Sequence, residues 1–289
     1  MCVCVVGTVH AHHNPRSTPI VTLEDAAYEV FVDTGSAEFD TYDAVGKWHA
    51  LNLSINAAPT PWLSVHATTG FARVLYDSGF LRQALGLRTV SGGTDSSVDI
   101  GVRVWRDESK RYALSGGLGV EFPTGDSEFR LGGGHYALTG RLVFEMKLGD
   151  TFSLSAELIG SGTVGSSDAT HEHLTKDSES HLHGAIISPH GEVQVGGRVG
   201  VAYKDHFGWL AVNLLTDVYL EKPEALGPVT LRMGAGLNVG DDGFSLTGAV
   251  SVPVAGLLPN SWTTQVGIGY RFGVEHEHSK VSGGCGCGG

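Results

Sequence analysis

No stretch of the chain approaches the roughly 18 uninterrupted apolar residues that a membrane-crossing helix requires, so a helical membrane protein is excluded. Cysteine is scarce. There are four in 289 residues, Cys2, Cys4, Cys285 and Cys287, too few and too terminal for a disulfide framework. Basic residues are outnumbered 19 to 31, which leaves a net charge of −12 and no basic patch to neutralise phosphates. Nucleic acid is therefore not expected as a partner. Catalytic signatures are missing too: there is no G-x-S-x-G, no H-E-x-x-H and no C-x-x-C. The strands offer His49 and His66 but no serine-bearing signature beside them, so an enzyme is not expected.

What the chain does have is glycine, 42 residues with no collagen period, and alternation. From Tyr28 onward, segments of about ten residues place apolar side chains at every second position, the period of a β-strand. The first runs from Tyr28 to Asp33, the second from Lys47 to Asn56, the third from Leu63 to Phe71. Leu75 to Thr94 reads as a long connection, Thr124 to Gly134 as a Gly-rich loop and Gly162 to His190 as the longest loop. Tight turns at Asp107–Lys110, Gly149-Asp150 and Gly240–Gly243 separate the others. Twelve strands result, with short and long connections in alternation.

The apolar face of each strand is nearly free of charge, whereas the opposite face carries Glu, Asp, Arg, Lys, Gln and Asn among Gly and Ser. Twelve strands enclose a ring too wide for small polar residues to fill as a dry core. Apolar-out and polar-in is the cheaper arrangement, and it requires lipid outside. The predicted fold is all-β, a 12-stranded antiparallel up-and-down transmembrane barrel with short periplasmic turns and longer outer loops. Aromatics at strand ends, Trp48, Trp62, Tyr112, Phe122, Tyr136, Phe152 and Trp262 among them, read as interfacial girdles. The organisation expected is a truncated signal-peptide remnant over 1–11, a periplasmic segment over 12–25, the barrel over 26–272 and a flexible His/Cys-containing tail over 273–289.

The last strand, with Val266, Ile268, Tyr270 and Phe272 on one face, resembles the closing strand of bacterial outer-membrane barrels, which carries the signal for the insertion machinery. Leu131-Gly132-Gly133-Gly134-His135-Tyr136, opening a strand that ends Lys147-Leu148-Gly149-Asp150, resembles the outer-membrane transporter family called "MetA-pathway of phenol degradation". So do Val252-Pro253-Val254, Asn260 and the Gly-Tyr-Arg-Phe closure, a resemblance that spans about residues 95–272. It implies a barrel of about twelve strands in the outer membrane of a Gram-negative bacterium, a transport role often directed at small hydrophobic or aromatic compounds, and no catalytic residues.

Two sets of residues carry the functional expectation. Arg103, Arg141, Glu145, Glu157, Arg198, Asp217, Arg232 and Arg271 face the lumen, with Lys147, Glu29, Asp33, Asp99 and Glu121, as a compensating ion-pair network, a selectivity lining, or both. The second set is the pairs His171/His173 and His181/His183 in the longest loop, and His276/His278 with Cys285 and Cys287 in the tail. In extended chain, H-x-H puts both imidazoles on one side, and thiolate with imidazole suits zinc or copper. The function expected is an outer-membrane channel or transporter for small solutes, linked to transition-metal ions. The competing reading is a non-conducting barrel that anchors metal-binding or partner-binding segments. Lipid, the insertion machinery and a small solute or metal ion are the partners expected.

Overall fold

The computed structural model describes residues 4–7, 19–22, 27–41, 44–79, 86, 88–126, 131–164, 183–185, 188–190, 193–204, 208–219, 226–239, 243–255 and 260–272. Its strands are β1 (Cys4–Gly7), β2 (Pro19–Thr22), β3 (Ala27–Thr41), β4 (Ala44–Thr60), β5 (Leu63–Gly79), β6 (Thr89–Gly93), β7 (Ser96–Arg106), β8 (Tyr112–Phe122), β9 (Tyr136–Leu148), β10 (Phe152–Val164), β11 (His183–Ala185), β12 (Ser188–His190), β13 (Val193–Lys204), β14 (Gly208–Tyr219), β15 (Leu226–Val239), β16 (Phe244–Ala255) and β17 (Asn260–Phe272). Two pairs, β1–β2 and β11–β12, are separate two-stranded sheets.

The remaining strands form one antiparallel sheet. β17 pairs β3 and β4 pairs β5, so that β3–β5, β7–β10 and β13–β17 close as a ring of twelve. Closure leaves none of the twelve ring strands as an edge strand, the condition for backbone amides to cross lipid. β6 is the continuation of β7. It pairs with the outer part of β5, Phe71↔Gly93 to Leu75↔Thr89, while β7 pairs with the inner part, and the ladder slips by one residue at Thr94-Asp95.

Alternation decides which way each side chain points. Outward positions are apolar and exposed over the height of the barrel: Leu142, Phe144, Leu158, Leu210, Leu214, Leu246 and Ile268 are typical, and Leu118 is 73% exposed. So wide an apolar surface is stable only against hydrocarbon. At the end where the short turns lie, Tyr28, Tyr270 and Phe272 stack in a row with centroids 5.6 and 6.3 Å apart, Phe244 lies 4.6 Å from Tyr270, and Phe152 meets Tyr203 at 5.3 Å. At the other end Phe122 and Tyr136 meet edge to face at 6.1 Å. These are the two aromatic girdles.

The turn between β7 and β8 shows why the short connections are short. Asp107 accepts hydrogen bonds from the Ser109 hydroxyl and, at 2.6 Å, from the Tyr112 amide, and Lys110 takes the left-handed conformation at φ 57°. The Ser109 bond, then the backbone amide, holds the Asp107 carboxyl below its usual range.

Three expectations are corrected in β3–β6. β3 and β4 run on to Thr41 and from Ala44, so the first outer connection spans two residues and the alternation of long and short fails there. The predicted connection Leu75–Thr94 contains the end of β5 and all of β6. Trp48 is not a girdle residue: it points inward and is 0% exposed.

The common cause is that these strands stand above the membrane. On β3 to β5 the outward face changes from Val30, Val32, Leu51, Leu53, Ile55 and Phe71 to Thr34, Ser36, Glu38, Lys47, His49, Arg73 and Asp77. The inward face changes the other way, from Glu29, Asp33, Asn52, Ser54, His66 and Thr68 to a buried apolar cluster of Ala37, Phe39, Trp48, Ala50, Ala72, Val74, Tyr76 and Val90, joined by Leu131. Polarity inverts where the solvent outside changes from hydrocarbon to water.

Candidate functional site

The lumen at mid-height is crossed by a belt of buried polar side chains. Asp33 Oδ1 accepts from Asn52 Nδ2 at 2.8 Å and from Gln265 Nε2 at 2.7 Å, and Arg232 donates to Gln265 Oε1 at 3.0 Å. Arg198 donates to Glu157. Arg141 donates to Asp99 Oδ1 at 2.6 Å, and His66 Nδ1 lies 3.5 Å from the other oxygen of Asp99. The Ser54 and Thr68 hydroxyls meet at 3.1 Å. The contributing strands run round the ring: β3, β4, β5, β7, β9, β10, β13, β15 and β17. β8 supplies Gly117 and Gly119 instead, because a Cβ at either would collide with Arg141 or Asp99. Any side chain there would push this ion pair apart.

The belt balances three carboxylates, Asp33, Asp99 and Glu157, against three guanidiniums, Arg141, Arg198 and Arg232. Removing an ion from water costs several kcal/mol, which only a close partner offsets. All six are nearly or fully buried, apart from part of Arg141. The pairing is therefore what permits charge at this depth. Nearer the periplasmic end Glu29 forms a second, wetter station, taking hydrogen bonds from Arg271 at 3.3 Å and from Asn56 at 3.1 Å.

Towards the outer mouth the lumen changes character. The apolar cluster lines it on the β3–β6 side, and Leu131 enters that cluster from the segment between β8 and β9. Asp95, at the break between β6 and β7, holds this segment down. Its carboxylate accepts from the Gly125 amide at 2.8 Å and from the Gly133 amide at 2.5 Å. Asp126 N–H bonds to Gly93 C=O at 3.2 Å, and Leu131 N–H to Asp126 C=O at 2.9 Å. Gly125 and Gly132 approach so closely that a Cβ on either would lie 2.8 Å from the other's Cα. Asp95 sits beyond the Phe122–Tyr136 girdle, outside the membrane-spanning strands. Burial first, then the Glu121 carboxylate, pushes it up to about 7, against the pull of the two amides.

Of the lumen residues read from the sequence, Arg141, Glu157, Arg198 and Arg232 stand in the belt. Glu145 is buried on the inward face of β9. Arg271 belongs to the Glu29 station. Arg103 bonds to the Pro61 carbonyl at 2.7 Å and so braces the β4–β5 turn. The Asp217 side chain lies outside the described residues. Asn52 and Gln265, which link the belt across the β17–β3 seam, had no signal beyond their inward parity. The apolar cap was signalled by the swapped alternation in Thr34–Phe39 and Trp48–Ala50.

His183 is the register partner of His190 in the β11–β12 ladder. Its side chain, with His171, His173, His181, His276, His278, Cys285 and Cys287, lies outside the described residues. Among the described residues no group of three or more His, Cys, Asp or Glu side chains could hold a metal ion.

Solved structures with the same architecture include an outer membrane channel from Pseudomonas putida F1, with a TM-score of 0.64 at 14% identity, matching 86% of this chain and 97% of the channel. The KdgM porin aligns with a TM-score of 0.51 at 8% identity, over 84% of this chain and 99% of the porin. At such identities the likeness is one of fold. No curated protein matches the chain. The family model described as "Putative MetA-pathway of phenol degradation" matches residues 20–182, more than half of the chain. This match begins well before the segment in which the motifs were read and so adds β3–β5 to it, while the motifs at 252–254, 260 and 269–272 lie beyond its end. The chain, an outer-membrane β-barrel of Gram-negative type, belongs to the family described as "MetA-pathway of phenol degradation".

Proposed function

We propose that the barrel is a channel for small solutes that carry both an apolar and a polar part, hydroxylated aromatic compounds being the class that fits. The observation that carries this reading is the belt of paired charges inside a barrel whose outside is apolar. The paired side chains supply hydrogen-bond donors and acceptors at the depth of the membrane without an uncompensated ion, each of which would cost several kcal/mol. The apolar cluster on the inward face of β3–β6 at the outer end supports an aromatic ring as the part of the solute that enters first, and the family's name points the same way. A hydroxyl or carboxylate then exchanges hydrogen bonds with the belt, whose donors and acceptors alternate along the wall.

Planar-bilayer recording tests the channel. The wild type is expected to give small, discrete conductance steps. Glu157→Ala/Arg198→Ala, which removes both members of one pair and leaves no orphan charge, is expected to raise the step size several-fold. Silence of both proteins would overturn the channel and favour a non-conducting anchor. Liposome swelling tests the solute, using 4-hydroxybenzoate because its carboxylate keeps it out of a plain bilayer.

A further inference from the structure

The outer wall of the barrel carries a second site, independent of what passes through the lumen. Just above the apolar band, one cross-strand row runs Thr264↔Ser36↔His49↔Arg73 over β17, β3, β4 and β5, with all four side chains pointing outward. The row below it runs Val266↔Thr34↔Leu51↔Phe71, and Val266, Leu51 and Phe71 are 62, 49 and 52% exposed. Together they line a groove of about 400 Å³. Ser36 and Thr264 hydroxyls sit 3.2 Å apart at one end, and the facing pair His49 and Arg73 sits at the other. The row above is neutralised within the chain, since Lys47 bonds to Glu38 at 2.5 Å. Among the described residues Arg73 and His49 have no hydrogen-bond or ion-pair partner.

A guanidinium with an imidazole and two hydroxyls is an anion-binding set, and arginine suits phosphate because its fork donates two parallel bonds. An apolar floor directly below it suits hydrocarbon. The groove lies at the outer end of the band, level with the headgroups of the outer leaflet. The positive charge of the groove is the Arg73 guanidinium, while the nearby Lys47 is taken up by Glu38 and Asp77. We infer that the groove binds a phosphorylated glycolipid of the outer leaflet, of lipopolysaccharide type, with a phosphate on Arg73 and His49, sugar hydroxyls on Ser36 and Thr264, and an acyl chain over Leu51 and Phe71.

The test titrates diphosphoryl lipid A against the full chain in detergent micelles. The comparison proteins are Arg73→Glu and, as a control with the same change of charge at the periplasmic end, Arg111→Glu. Folding of each is checked by its heat-dependent gel mobility. Arg73→Glu is expected to weaken binding about tenfold and Arg111→Glu to leave it unchanged, while inorganic phosphate at millimolar concentration does not compete. If Arg73→Glu fails to fold, Arg73→Gln with Ser36→Ala takes its place, with the same loss expected. Binding by the groove variants within twofold of the wild type would overturn the assignment. So would equal binding of lipid A stripped of its phosphates, or full competition by inorganic phosphate, which would reduce the site to an anion site without a lipid.

Discussion

Asp95 holds the β8–β9 segment with two amide hydrogen bonds, and its raised titration gives that attachment a pH dependence of definite sign. Pinned under the β8–β9 segment its carboxyl titrates at about 7, against 3.8 when free. The groups around it are Glu121, which raises it, and Asp126 and the buried His135 on the same segment. The pinned state thus holds its proton more tightly than the released one. Its stability is complete below about pH 4 and declines as pH rises through 7. The difference of about three units corresponds to a total on the order of 4 kcal/mol. Release uncovers Trp48, which lies in the cluster that Leu131 seals. With Trp62, Trp105, Trp209 and Trp262 replaced by Phe, quenching of Trp48 fluorescence by iodide should increase between pH 6 and 8. Asp95→Asn removes the charge and should flatten that curve, and identical pH profiles for the two proteins would exclude Asp95 as the titrating group.

The elements divide by the medium around them, and substitutions should divide in the same way. Trp48→Ala empties the fully buried centre of the outer cap, a change that costs about 3–5 kcal/mol where the site cannot collapse. The loss should appear as protease sensitivity of the outer ends of β3–β5, with the membrane part of the barrel intact. Leu142→Arg places a cation on the lipid face of β9 and should cost about 2–4 kcal/mol in unfolding measured in lipid, with no effect on the cap. β9, β10 and β13–β17 were legible in the sequence because hydrocarbon surrounds most of their length, so one parity stays apolar throughout. β3–β6 were not, since Thr34, Ser36 and Glu38 continue the alternation of Val30 and Val32 with the opposite polarity. The period of two survives such an inversion but the apolar stripe changes face, and the sequence alone does not say at which residue lipid gives way to water.

At the scale of the whole molecule the belt depends on ring closure. Gln265 and Asp33, at opposite ends of the chain, meet only because β17 pairs with β3. Parity along each strand made the inward residues readable, but which of them touch is set by how the strands are staggered around the ring, a quantity no single strand encodes. The seam is therefore the place to test the stagger. Val32 and Ile268 are direct partners on the lipid face, and opposite residues of an antiparallel pair stand about 4.5–5.5 Å apart at Cα, within disulfide range. Val32 and Tyr270 are offset by two residues, which lengthens the gap to about 7–8 Å and takes it out of range. With Cys2, Cys4, Cys285 and Cys287 changed to Ser, mild oxidation should cross-link Val32→Cys/Ile268→Cys and leave Val32→Cys/Tyr270→Cys open. The cross-linked chain, closed into a loop over most of its length, should run faster than the reduced chain on a denaturing gel after boiling. Cross-linking of the offset pair alone would mean a seam shifted by two residues, with Asp33 facing Gly269 instead of Gly267 and Gln265 facing Ala37 instead of Gly35. The belt would be broken where it crosses the seam, parting the buried Asp33 carboxylate from the Gln265 amide that links it to Arg232, so the seam register and this link stand or fall together.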